Sequence, residues 1–257
     1  MTEPAASPFS RPPAHRATRR YQITPMEIAI DVALTALMLA GVYAAWPFVL
    51  AFWHGALQFW LERVQVLGHE VTLHEVKLPW VGPAISLMAD DVLPSALQWW
   101  GGVAVMLGAL GLSFIISRER LPLVYLLRTL AFIQATALVY FYLWPARLPV
   151  TLAKFGADLI QMVGTMLFIV PLLHGFTLYI FRMSLWRKLL TTLVSVIYVA
   201  LCLPPHLSLL IWLMQKGSVL MLPMTYFVLM LLPYIMVLIA IYGYALSLTP
   251  SDAEKTE

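Results

Sequence analysis

From Leu189 to Leu248 the chain runs for 60 residues with one charged side chain, Lys216. A water-soluble domain cannot bury so long an unbroken apolar stretch. A bilayer can: roughly 20 residues make one crossing, so this stretch holds two. The rest of the chain has the same character, with 61% apolar residues, 11% charged residues and a mean hydropathy of +0.83. The expected fold class is therefore all-α: a polytopic integral membrane protein of about six transmembrane helices.

The spans are predicted at about 26–47, 96–117, 121–144, 156–181, 189–213 and 219–247. Pro204-Pro205 lies inside the fifth and could break it into a re-entrant piece, which leaves five or seven spans as alternatives. Residues 1–25 read as a disordered basic cytoplasmic tail, rich in Pro and carrying Arg11, Arg16, Arg19 and Arg20. They do not read as a cleaved signal, because the apolar stretch that follows is too long. Residues 248–257 read as a second cytoplasmic tail. With both termini inside, ten Lys and Arg fall on the inner side and five on the outer, the direction the positive-inside rule requires. A multi-pass protein of the bacterial inner membrane is the localisation that fits.

The sizeable loop, 48–95, is predicted outside the cytoplasm. It opens on the most regular pattern in the chain: Trp46, Leu50, Trp53, Leu57, Trp60, Val64 and Leu67, spaced 4-3-4-3-4-3. On a helix these residues make one apolar seam, so the first helix should run past Pro47 as an amphipathic segment. Such a seam either lies in the headgroup layer, where Trp is at home, or docks a partner subunit. Val71–Leu78 and Ala84–Met88, on either side of the turn residues 79–83, form a candidate β-hairpin.

Ionisable groups inside spans are costly and usually face a partner or a cavity. Asp31, Arg128 and His174 are predicted roughly 8–11 Å from the cytoplasmic boundary, at about 1.5 Å per residue. Shared depth suggests an Asp31–Arg128 ion pair joined by His174. This intramembrane cluster reads as a helix clamp or as an ion, proton or head-group site. Asp158, Gln161 and His206 form a second polar set nearer the outer side. Gln134 reads as hydrogen-bonding glue between helices, and Gly156, Gly164 and Gly175 as close-packing positions.

Other chemistries lack their residues. His69 and His74 are five apart, not the four a zincin helix needs, so His69, Glu70, His74, Glu75, Asp90 and Asp91 read chiefly as loop polar groups, with an outer-face metalloenzyme as a minor alternative. The single cysteine, Cys202, excludes an intrachain disulfide and an iron–sulfur cluster. No phosphate loop or nucleophile elbow is present, and no basic face suited to nucleic acid. No catalytic residue, metal or cofactor is therefore expected. The expected partners are the lipid bilayer and another membrane protein subunit. The leading functional expectation is a non-catalytic subunit that scaffolds or assembles a cell-envelope membrane complex through the Trp46–Leu67 seam. The alternative is a transporter or channel for a small ion or lipid-linked substrate, using Asp31, Arg128 and His174.

Overall fold

The computed structural model describes residues 24–66, 70–78, 82–88, 91–147, 150–178, 180–181 and 183–247. The predicted tail 248–257 and residues 1–23 of the predicted tail 1–25 fall outside these residues. Six helices are long and apolar enough to cross a membrane: α1 (Pro25–Arg63), α2 (Ala96–Ile115), α3 (Leu121–Leu143), α4 (Leu152–Leu178), α5 (Leu185–Gly217) and α6 (Val219–Ser247). Strands β1 (Glu70–Leu78) and β2 (Gly82–Met88) pair antiparallel between α1 and α2, with Val71 opposite Leu87 and Leu73 opposite Ile85.

Local chemistry sets the helix ends. Thr24 caps α1 in a reciprocal box with Glu27, and Pro25 follows in the first turn. Ser95 and Gln98 repeat that box at α2. At α4 the Asp91 carboxylate accepts the Leu152 N–H at 2.7 Å, which ties the chain before α2 to the start of α4. α5 begins at Leu185, after Ser184 at the N-cap position, four residues before the predicted 189. α5 then runs unbroken through Pro204-Pro205 to Gly217, with no re-entrant piece.

Prolines inside helices free carbonyls that need other donors. Pro204 has no N–H for the Ala200 carbonyl, and the Trp53 indole N–H of α1 supplies one at 2.7 Å. In α6, Pro233 offers no N–H to the Leu229 carbonyl, and the helix widens into a π-turn over Phe227–Leu231 just before it. The Pro233 carbonyl in turn accepts the Tyr198 hydroxyl at 3.1 Å.

Four helices, α1, α4, α5 and α6, share the main core with Ile85 and Leu87 of β2. Their close approach depends on small residues. A Cβ on Gly164 would sit 2.9 Å from the Trp46 ring, and one on Gly156 would sit 2.9 Å from Leu87. α2 and α3 pack chiefly on each other, and their main further contact is with the first turns of α6, through Leu138, Phe141, Val219 and Leu220. Gln134 reinforces this junction by donating to the Leu220 carbonyl at 3.3 Å. The α2–α3 pair therefore joins the bundle at its hairpin end, the end holding β1, β2 and Gly217. The opposite end, holding Thr24, Leu121, Ser184 and Ser247, is the tail end.

Candidate functional site: a buried ion pair and a small polar cavity

Asp31 lies in the second turn of α1 and faces α5 near the tail end. Its partner is Lys188, whose ammonium donates to both carboxylate oxygens at 2.8 Å. Both side chains are about nine-tenths buried. The Thr35 hydroxyl donates to the Asp31 carbonyl. One turn beyond Lys188, the Thr192 hydroxyl bonds the Lys188 carbonyl at 2.9 Å and lies 3.0 Å from His174 Nδ1. A hydroxyl has a single proton to give. With that proton on the Lys188 carbonyl, His174 donates from Nδ1, and its Nε2 is left as an acceptor. The His174 ring also lies 6.3 Å from the Tyr242 ring of α6.

Asp31, Thr35, Pro171, His174, Lys188 and Thr192 line a cavity of about 20 Å³. That is room for about one water, which needs roughly 10–15 Å³ and several polar partners. Lys188 has a third N–H beyond the two given to Asp31. The arrangement can thus hold one water between a cation, a carboxylate and an imidazole acceptor, and it locks α1, α4 and α5 together. Close packing contributes: Thr35 lies where a Cβ on Gly175 would be.

The predicted cluster is corrected in one member. Asp31 and His174 do line one site, but Arg128 does not join it. Arg128 sits on α3, where its Nε donates to Ser113 Oγ at 3.4 Å and its guanidinium lies 5.2 Å from the Phe114 ring centre. Equal depth is necessary for an ion pair but does not fix which way a side chain points around its helix axis. Lys188 escaped the sequence reading because the predicted span began one residue after it. Ser184, a preferred capping residue just before the apolar run, was the signal for an earlier start.

The seam is corrected as well. Trp46, Leu50, Trp53 and Leu57 are buried inside this chain against α4 and α5. Trp46 meets Trp53 edge-on at 5.8 Å and Phe168 at 5.9 Å. Trp60 is exposed and Val64 half-buried, while Leu61 takes the next buried place. A straight helix at 3.6 residues per turn drifts off a 3.5-residue repeat, so the stripe moves from Trp60 to Leu61. Leu67 lies outside the described residues. The Trp46 and Trp53 indoles belong to the core of this chain, while Trp60 stays outside it.

Asp158 and Gln161 are exposed on α4. His206 packs its ring edge-on against Tyr234 at 5.8 Å. The His206 Nδ1, Ser208 Oγ and Tyr234 hydroxyl are buried without a hydrogen-bond partner among the described residues. Cys202 is half-buried on α5. His69 and Asp90 lie outside the described residues, and Glu70, His74 and Glu75 belong to β1. Among the described residues no three His, Cys, Asp or Glu side chains gather as a metal site. No family model, curated protein or solved structure matches the chain.

Proposed function

We propose that this chain is a non-catalytic integral subunit of a bacterial inner-membrane complex, with both termini in the cytoplasm, and that it meets its partner through the tail-end half of α2 and α3. The ten-to-five distribution of basic residues supports this orientation. With Trp46, Leu50, Trp53 and Leu57 packed inside the chain, the reading moves the contact surface from the seam to α2 and α3. Arg128 is the observation that carries the reading. It is exposed on α3, about 10 Å along the helix from Leu121 at 1.5 Å per residue. Among the described residues it has no acidic partner. An Arg at the centre of a span costs roughly 2.5–3.5 kcal/mol on insertion scales and less toward the end, where Arg128 stands; an acidic side chain on a neighbouring helix would offset that cost. Phe114, Ile115, Tyr125 and Phe132 stand exposed on the same two helices. A transport site built on Asp31, Arg128 and His174 together finds no support, because Arg128 stands apart from the cavity that Asp31 and His174 share.

The test is affinity purification of the full chain from membranes in mild detergent. The native protein should bring down a membrane partner. Arg128→Leu should reduce that recovery at least about tenfold, the scale of one desolvated ion pair, and leave the thermal midpoint of the purified chain unchanged. Undiminished recovery with Arg128→Leu would contradict the assignment.

A further inference from the structure

A groove of about 390 Å³ runs between the first turns of α5 and the last turns of α6 at the tail end. Arg187, Leu190, Thr191 and Val194 line it from α5, the i, i+3, i+4, i+7 stripe of one helix face. Ala240, Ile241, Tyr244 and Ala245 line it from α6, and the two alanines leave the width. The groove has a polarity gradient. Arg187 is exposed at the end where α5 begins, with Tyr244 exposed on the facing helix. The Thr191 hydroxyl is turned back onto the Arg187 carbonyl at 2.8 Å. Around it, Leu190, Val194, Ala240 and Ile241 present only hydrocarbon, over about 6 Å of α5 from Leu190 to Val194.

A cation at one end and an apolar slot leading toward the bundle middle match the two parts of a phospholipid. The groove is open on its outer side, where Leu190, Val194 and Tyr244 are exposed, and in a bilayer what lies in such a groove is an acyl chain. Arginine at the membrane surface selects negative charge. The geometry points to a binding site for one anionic glycerophospholipid, its phosphate at Arg187 and one acyl chain lying between Leu190, Val194, Ala240 and Ile241. This site lies on α5 and α6, away from the α2–α3 surface proposed for a protein partner, so either assignment can fail without the other.

The experiment uses the purified full chain in nanodiscs holding equal amounts of phosphatidylglycerol and phosphatidylcholine. The lipid retained after detergent extraction is counted by native mass spectrometry. The native chain should retain phosphatidylglycerol about fivefold over phosphatidylcholine, the preference one surface arginine provides. Arg187→Gln should bring the ratio to about one with a lipid still bound. Ala240→Leu should fill the slot and remove retention of both lipids, with the thermal midpoint reporting that the fold persists. Equal retention of the two lipids by the native chain, or retention in Ala240→Leu equal to the native level, would overturn the site.

Discussion

Lys188→Met should destabilise the folded chain by about 3–5 kcal/mol, the usual loss when one member of a buried ion pair is removed. The cause is less the lost attraction than the Asp31 carboxylate left nine-tenths buried without a counter-charge. Asp31 and Lys188 are too buried for water to screen them, so the discount for surface pairs does not apply. Asp31→Leu should cost a similar amount for the mirror reason. The double variant Asp31→Leu with Lys188→Met should recover most of the loss, because a hydrophobic pair of like volume often equals a buried ion pair in stability. Unfolding midpoints in mixed detergent and denaturant measure all three. Additive losses in the double variant would mean that the two residues do not meet.

Trp53→Ala should rank beside it, at about 3–5 kcal/mol for a large buried aromatic. The informative variant is Trp53→Phe, which retains most of the packing and deletes the indole N–H. It should cost about 1–3 kcal/mol, because the Ala200 carbonyl is then buried with no donor. Pro204 is the reason that carbonyl needs Trp53 at all. Pro204→Ala returns a backbone N–H to the helix, so it should rescue much of the Trp53→Phe loss. A double-mutant cycle measures the coupling directly. Zero coupling between positions 53 and 204 would show that proline and indole act separately.

What the sequence disclosed depended on the range of the forces involved. Hydrophobicity over some 20 residues is a local property, and all six membrane-length helices were visible from it. Lys188 shows where local reading stops: a span boundary misplaced by four residues moved the decisive cation from a helix to a loop. Arg128 shows a second limit, since depth can be counted along one helix but rotation toward a neighbour is set by packing between helices. The tryptophans show a third. Their spacing correctly indicated one helix face, yet nothing in it says whether that face meets lipid, a partner or the rest of the same chain. Trp53 is held by a carbonyl that Pro204 leaves open, 147 residues further along the chain. Proline in a predicted span was the available hint, because each one leaves a carbonyl that something must satisfy.

Every depth and orientation above rests on six crossings of the bilayer. Single cysteines placed in a Cys202→Ser background test this most directly, at exposed Leu93 and Lys216 toward the hairpin end and at exposed Ser117 and Ser184 toward the tail end. In intact cells a membrane-impermeant maleimide should label positions 93 and 216 and leave 117 and 184 unlabelled until the inner membrane is opened. Labelling of 93 and 117 from the same side would contradict the account, since α2 would then not cross.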